Sequence, residues 1–209
     1  MAEANVEPGG GGGEGLADAL RALRTETDEE LRRRWDRSLP FADGLFDRWE
    51  RARRLGFGEE ASIYDSALVL EPVTVGAHTW IGPHVLLDGS GGGLAIGAWC
   101  SISAGVHVYT HDTLLRSLSE GALARHTGPV RIGDACHVGA QSVIAAGVTV
   151  GTRCVIGANS FVNRDVPDRA VVGGSPARPL GMVVGEGEDV RIWTGAEAIA
   201  ALLAVPPPA

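Results

Sequence analysis

The stretch IGDACHVGAQSVIAAGVTVGTRCVIGANSFV, residues 132–162, carries an aliphatic side chain at every sixth position: Ile132, Val138, Ile144, Val150, Ile156 and Val162. The same period runs earlier through Ile63, Val69, Val75, Ile81 and Leu87, slips by three residues, and resumes at Ile96, Ile102 and Val108. A period of six fits neither the helical period of about 3.6 nor the strand period of about 2. It is an internal repeat, and hexapeptide repeats build parallel β-helices. Three hexads close one triangular turn, with short strands on three flat faces and small or glycine residues at the corners. About five turns fit between Ile63 and Pro167. The aliphatic residue and the fourth residue after it point inward and stack at the roughly 4.8 Å spacing of neighbouring strands. The inside is a packed core without a pocket, so any site lies outside it, at loops or between molecules.

Composition sets the remaining bounds. The chain has 209 residues and a mean hydropathy near zero, which suits one main globular domain with appendages. A net charge of −8 argues against a general nucleic-acid surface. All 18 basic residues are arginine. No apolar run reaches the roughly 18 residues of a membrane span, and the acidic, glycine-rich start is unlike a secretory signal, so the expected location is the cytoplasm. Cys100, Cys136 and Cys154 each fall four residues after a repeat aliphatic, in the inward slot filled elsewhere by Ala67, Thr79, Ser142 and Ser160. They read as small core residues rather than a disulfide framework.

The chain divides into four parts. Residues 1–15, with Gly9 to Gly13 unbroken, read as a disordered tail. Residues 16–58 read as helical: one short helix from Leu16 to Arg24, a second opened by a capping box at Thr27, and a third from Phe41 to Leu55. Residues 59–179 form the coil, and 180–209 a C-terminal extension with a short strand near Val190–Trp193, a helix over 196–204 and a loose end. Two interruptions break the repeat. The first is the three-residue slip at Leu87 to Gly93. The second is an excursion from Tyr109 to Pro129 whose length keeps the hexads in phase, since Val108 to Ile132 is four times six. Loops that leave and rejoin a rigid scaffold in register are where function concentrates. The excursion begins with Thr110-His111-Asp112, and an imidazole titrates near neutrality, as a general base requires.

The coil, the excursion with its histidine and the closing Gly-Gly-Ser-Pro-Ala-Arg178 resemble the hexapeptide-repeat acyltransferases. The likeness is nearest to the galactoside, maltose and nodulation-type acetyltransferases and to the sugar acetyltransferases of surface-polysaccharide pathways. It covers about residues 60–180. It implies an all-β, left-handed parallel β-helix, a homotrimer with active sites between adjacent subunits, and direct acetyl transfer from acetyl-CoA to a hydroxyl or amine acceptor, a sugar above all. On this resemblance His111 is the catalytic base, although Thr110-His111-Asp112 stands where the family often has Gly-His-Pro. Asp88 corresponds to an acceptor contact, and Asp112 and His126 belong to the substrate side, with Asp112 or Glu120 available to orient the base. Ala140, Ala158 and Asn163 match positions along the coenzyme, Arg164 and Arg178 suit its phosphates and adenine end, and His137 replaces a tryptophan that some relatives place along the pantetheine arm. No metal is expected. The rival readings on the same coil are a non-catalytic trimeric scaffold and a zinc enzyme like the gamma-class carbonic anhydrases; the latter needs three histidines in tetrahedral reach.

Overall fold

The structure, a computed structural model, describes residues 12–204. Residues 1–11 of the expected tail and the loose end at 205–209 lie outside the described residues. The chain forms two compact units, one ending at Asp47 and the other beginning at Arg48.

The first unit holds α1 (Gly12–Trp35) and α2 (Phe41–Leu45). The two helices expected on either side of Thr27 are one. Thr27 Oγ1 donates to the Leu23 carbonyl at 2.8 Å, the backward bond of a mid-helix threonine, and so caps nothing. Asp28 accepts from Arg32 Nε at 2.8 Å and from Ser38 Oγ at 2.7 Å, which folds the linker back onto α1. The single helix expected from Phe41 to Leu55 is divided, because Phe46 is extended (φ −98°, ψ 133°) and ends α2. Its second half is α3 (Arg48–Arg54), which belongs to the other unit.

The second unit is the coil. Its strands form three sheets, in which each strand of the coil pairs in parallel with the strand of the adjacent turn, about one turn away along the chain, or two turns' length away where the excursion intervenes. The first sheet stacks Ser62–Ile63, Trp80–Ile81, Ser101–Ile102, His137–Val138, Val155–Ile156 and Ala170–Gly173. The second stacks Leu68–Leu70, Leu86–Asp88, His107–Tyr109, Val143–Ile144 and Phe161–Val162. The third stacks Val73–Val75, Leu94–Ile96, Val130–Ile132 and Thr149–Val150. The repeat aliphatics are the core: Ile63, Ile81, Leu87, Ile102, Val108, Val138, Ile144 and Ile156 are fully buried. Each such side chain is worth about 1.5–3 kcal/mol of burial.

The inward small slot behaves as the spacing requires. All three cysteines are free and buried. Each thiol donates to a carbonyl of the next turn: Cys100 to Gly133 at 3.1 Å, Cys136 to Gly151 at 3.0 Å and Cys154 to Pro167 at 3.1 Å. The corners have a feature that periodicity does not reveal. The third residue after most repeat aliphatics has left-handed backbone, including His78, His84, Trp99, Ala135, Gln141, Arg153 and Asn159. Each non-glycine residue there costs about 1–2 kcal/mol. A hydrogen bond to the adjacent turn offsets that cost, as with Asn159 N–H to Ala140 O at 2.9 Å and Gln141 N–H to Ala104 O at 3.0 Å.

Both coil ends are covered, as an open sheet end requires. At the first turn, α3 buries Ala52, and the Arg51 guanidinium donates to the carbonyls of Tyr64 and Ala67. At the last turn, Ala170–Gly173 pairs antiparallel with Arg178–Val184, which pairs with Arg191–Thr194. After the short α4 (Leu114–Leu118) in the excursion, the last helix is α5 (Ala196–Leu203), whose Leu202 joins the core.

Candidate active site

The two interruptions meet at one corner. Asp88 and Tyr109 are partners in the second sheet, so the slip after Asp88 and the excursion after Tyr109 leave the coil side by side. Thr110 is fully buried, and its hydroxyl accepts the Gly91 N–H at 2.7 Å. His111–Asp112 then pairs antiparallel with His126–Thr127, making the excursion a hairpin tipped by α4. The Arg125 guanidinium donates to the Ser90 carbonyl at 3.1 Å, tying the returning arm to the slip. Glycine is required at 91 because a Cβ there would collide with the Thr110 carbonyl and come within 2.9 Å of His111 Cβ. Gly91→Ala should therefore displace His111. We expect a loss of about 1–3 kcal/mol in urea unfolding, together with a fall in turnover.

This packing puts a carboxylate under the imidazole. Asp88 Oδ2 lies 2.7 Å from His111 Nδ1, within ion-pair distance, and among the described residues it accepts no hydrogen bond. Oδ1 accepts the Ser90 N–H at 2.9 Å, and the Ser90 hydroxyl stands 3.4 Å from His111 Nδ1. Asp88 is 1% exposed, whereas the His111 side chain is 26% exposed. Burial works against the charged carboxylate, but the Ser90 hydroxyl and amide and the neighbouring imidazole outweigh it, holding Asp88 below the ordinary aspartate range. A charged Asp88 fixes the proton on Nδ1 and leaves the Nε2 lone pair free. An imidazole so arranged has the geometry to accept a proton at Nε2.

The other expected site residues fall into groups. Asp112 is turned to its own loop, where Oδ1 accepts the Leu114 N–H at 3.0 Å, and His126 is exposed on the returning strand. Asn163 and Arg164 are exposed on the same coil edge as His111, two strands further along the second sheet. Ala140 and Ala158 lie at the opposite edge of that sheet, where Ala140 O accepts the Asn159 N–H at 2.9 Å. His137 is exposed on the first sheet, between Ser101 and Val155. Arg178 is exposed at the start of its strand and donates to the Ala177 carbonyl at 2.9 Å. Within one chain, His111 and the pair Ala140 and Ala158 are thus separated by the width of one sheet. Ser90, Thr110 and Gly91 carry the geometry around His111 without any motif to announce them.

Comparison with known proteins agrees with this architecture. The profile of the hexapeptide repeat of succinyl-transferase matches residues 129–164. A hexapeptide-repeat acetyltransferase of Vibrio cholerae O1 biovar eltor, solved in complex with acetyl coenzyme A, is 31% identical with a TM-score of 0.59, over 82% of this chain and 91% of that one. The chain belongs to the hexapeptide-repeat acetyltransferases. The fold is accordingly their left-handed parallel β-helix. Among curated relatives, the galactoside O-acetyltransferase of Escherichia coli is 33% identical over 52% of this chain and 43% of its own length. Serine acetyltransferase 2 of Arabidopsis thaliana is 33% identical over 47% of this chain and 29% of its own. The chain therefore spans less than half the length of either curated relative. An N-acyltransferase of Bacillus cereus, solved with dTDP and 3-hydroxybutyryl-CoA, is 22% identical with a TM-score of 0.54, over 66% of this chain and 90% of that one, and shares the fold.

Proposed function

We propose that this chain is an acetyl-CoA-dependent acetyltransferase acting on a hydroxyl or amine of a sugar or similar small acceptor. The observation that carries this reading is the buried Asp88 carboxylate 2.7 Å from His111 Nδ1, on a coil of the acetyltransferase family. His111 Nε2 removes the acceptor proton while the acceptor oxygen or nitrogen bonds to the thioester carbonyl carbon. The C–S bond then breaks, and the imidazolium returns its proton to the departing thiolate. No acyl-enzyme is needed. Asp88 is a positioning residue in this scheme. We assign it this role, rather than the direct acceptor contact expected from the resemblance, because its carboxylate is buried and lies beside Nδ1. His126 and the exposed end of Asp112 remain on the acceptor side. Arg164 and Arg178 anchor coenzyme phosphates, with Ala140, Ala158, Asn163 and His137 along its path. A sugar acceptor is favoured by the kinship with galactoside O-acetyltransferase.

The site is completed by a second copy. The outward residues of the second sheet stack in register as Leu68, Leu86, His107, Val143 and Phe161. Leu68 is 50% exposed and Phe161 37%. The third sheet presents Thr74, Ala95, Arg131 and Thr149 instead. The apolar face is bounded on one edge by His111 and on the other by Ala140 and Ala158, so packing it in a homotrimer brings the base of one chain to the cofactor wall of the next. Phe161→Glu should shift the assembly to monomer by light scattering and abolish turnover, whereas Thr74→Glu should change neither. Acetyl-CoA should raise the melting temperature of the wild type; no shift at saturation would favour a non-catalytic scaffold.

A further inference from the structure

A second feature lies on a different edge of the coil and is independent of the proposed reaction. The edge leading into the first sheet carries Glu60, His78, Trp99, Ala135, Arg153 and Arg169 in succession, all with left-handed backbone. Hydrogen bonds fix their register: Trp99 N–H to Ala77 O at 2.8 Å, Ala135 N–H to Ala98 O at 2.8 Å and Arg153 N–H to Asp134 O at 2.7 Å. Matching backbone in matching register sets these side chains off in parallel. The result is visible in His78 and Trp99, whose rings stack at 4.1 Å with 24° between planes.

That stack covers one face of the Trp99 indole. Trp99 is nevertheless 66% exposed, and the next corner position along the edge is Ala135, which offers only a methyl group. The fold does not require an aromatic pair here, because Gly105 and Gly147 occupy equivalent left-handed corner positions without a side chain, and a bulky residue is disfavoured in that conformation. The next long side chain is Arg153, which has no carboxylate partner among the described residues. It stands two coil spacings from Trp99, about 9.6 Å. With contacts of about 3.5–4.0 Å, that interval admits one flat ring and excludes two. Indole and guanidinium both stack on planar π-systems. Glu59, Glu60, Asp134 and Asp168 are exposed along the edge and oppose a phosphate.

We propose that Trp99 and Arg153 form a binding slot for one uncharged planar heteroaromatic ring, such as the base of a nucleoside, one sheet away from the His111 edge. Adenosine and AMP, titrated separately against tryptophan fluorescence of the full chain, probe it. Wild type should show saturable quenching by adenosine, with AMP several-fold weaker. Trp99→Leu should remove the quenching. Ala135→Phe should weaken adenosine at least about tenfold by filling the slot while keeping the indole; His78 and Trp99 show that this edge accepts aromatic residues, and an unchanged melting temperature checks the fold. Acetyl transfer should be unchanged in both variants. Absence of saturable quenching by either compound, equal adenosine affinity in Ala135→Phe and wild type, or tighter binding of AMP than adenosine would overturn the proposal.

Discussion

His111→Ala should lower kcat about 10²–10⁴-fold, the range for losing a positioned general base, while the rise in melting temperature on adding acetyl-CoA stays at its wild-type size. The two readouts separate because the proposed coenzyme contacts lie on later turns of the coil and beyond it, whereas His111 stands over Asp88 in the excursion. Removing the imidazole leaves the buried Asp88 Oδ2 without its neighbour, so a loss of about 1–3 kcal/mol in stability should accompany the fall in kcat. Full activity in the variant would remove His111 from the base role. A loss of acetyl-CoA binding would place it in the coenzyme site instead.

The second large effect is expected at Asp88. Asp88→Asn keeps the shape but replaces an acceptor oxygen facing Nδ1 with an ambiguous amide, so the proton is no longer held on Nδ1 and Nε2 is no longer reliably free. We expect a loss of about 10²–10⁴-fold in kcat with a smaller change in KM. Stability supplies an independent check. The folded-state pKa of Asp88 lies below its unfolded value. Its contribution is therefore fully present above the ordinary aspartate pKa and is lost as pH falls through the lowered one. The stability gap between wild type and Asp88→Asn should shrink in acid over that window. If the gap instead widened there, or if the variant kept full kcat, the carboxylate would have another role.

Much of this site could be read from register. Leu87 pairs with Val108 because the slip adds three residues to an eighteen-residue turn, and that arithmetic alone sets Asp88 beside Tyr109. It follows that the slip and the excursion share a corner. What register cannot supply is side-chain direction. Asp88 ends its strand with the carboxylate turned inward beneath His111, a choice fixed by the Ser90 amide and by Gly91 packing on Thr110. Asp112, closer in sequence, is spent on the Leu114 amide. The helical segment was less legible. A capping pattern at Thr27 is overridden by an uninterrupted run of helix-compatible residues, while the break comes at the extended Phe46, two residues after Gly44. Corner conformation also left no mark, since residues as different as Trp99, Ala135 and Arg153 adopt the same left-handed backbone.

The most direct test of the account is acetyl transfer itself. The full chain should be incubated with isotopically labelled acetyl-CoA and a panel of galactosides, amino sugars and nucleotide-linked sugars, with products followed by mass spectrometry and free thiol measured in parallel. At least one acceptor should gain a single labelled acetyl group, matched mole for mole by released thiol and suppressed in His111→Ala. No labelled acceptor, no acceptor-dependent thiol and no thermal shift with acetyl-CoA would contradict the proposed function.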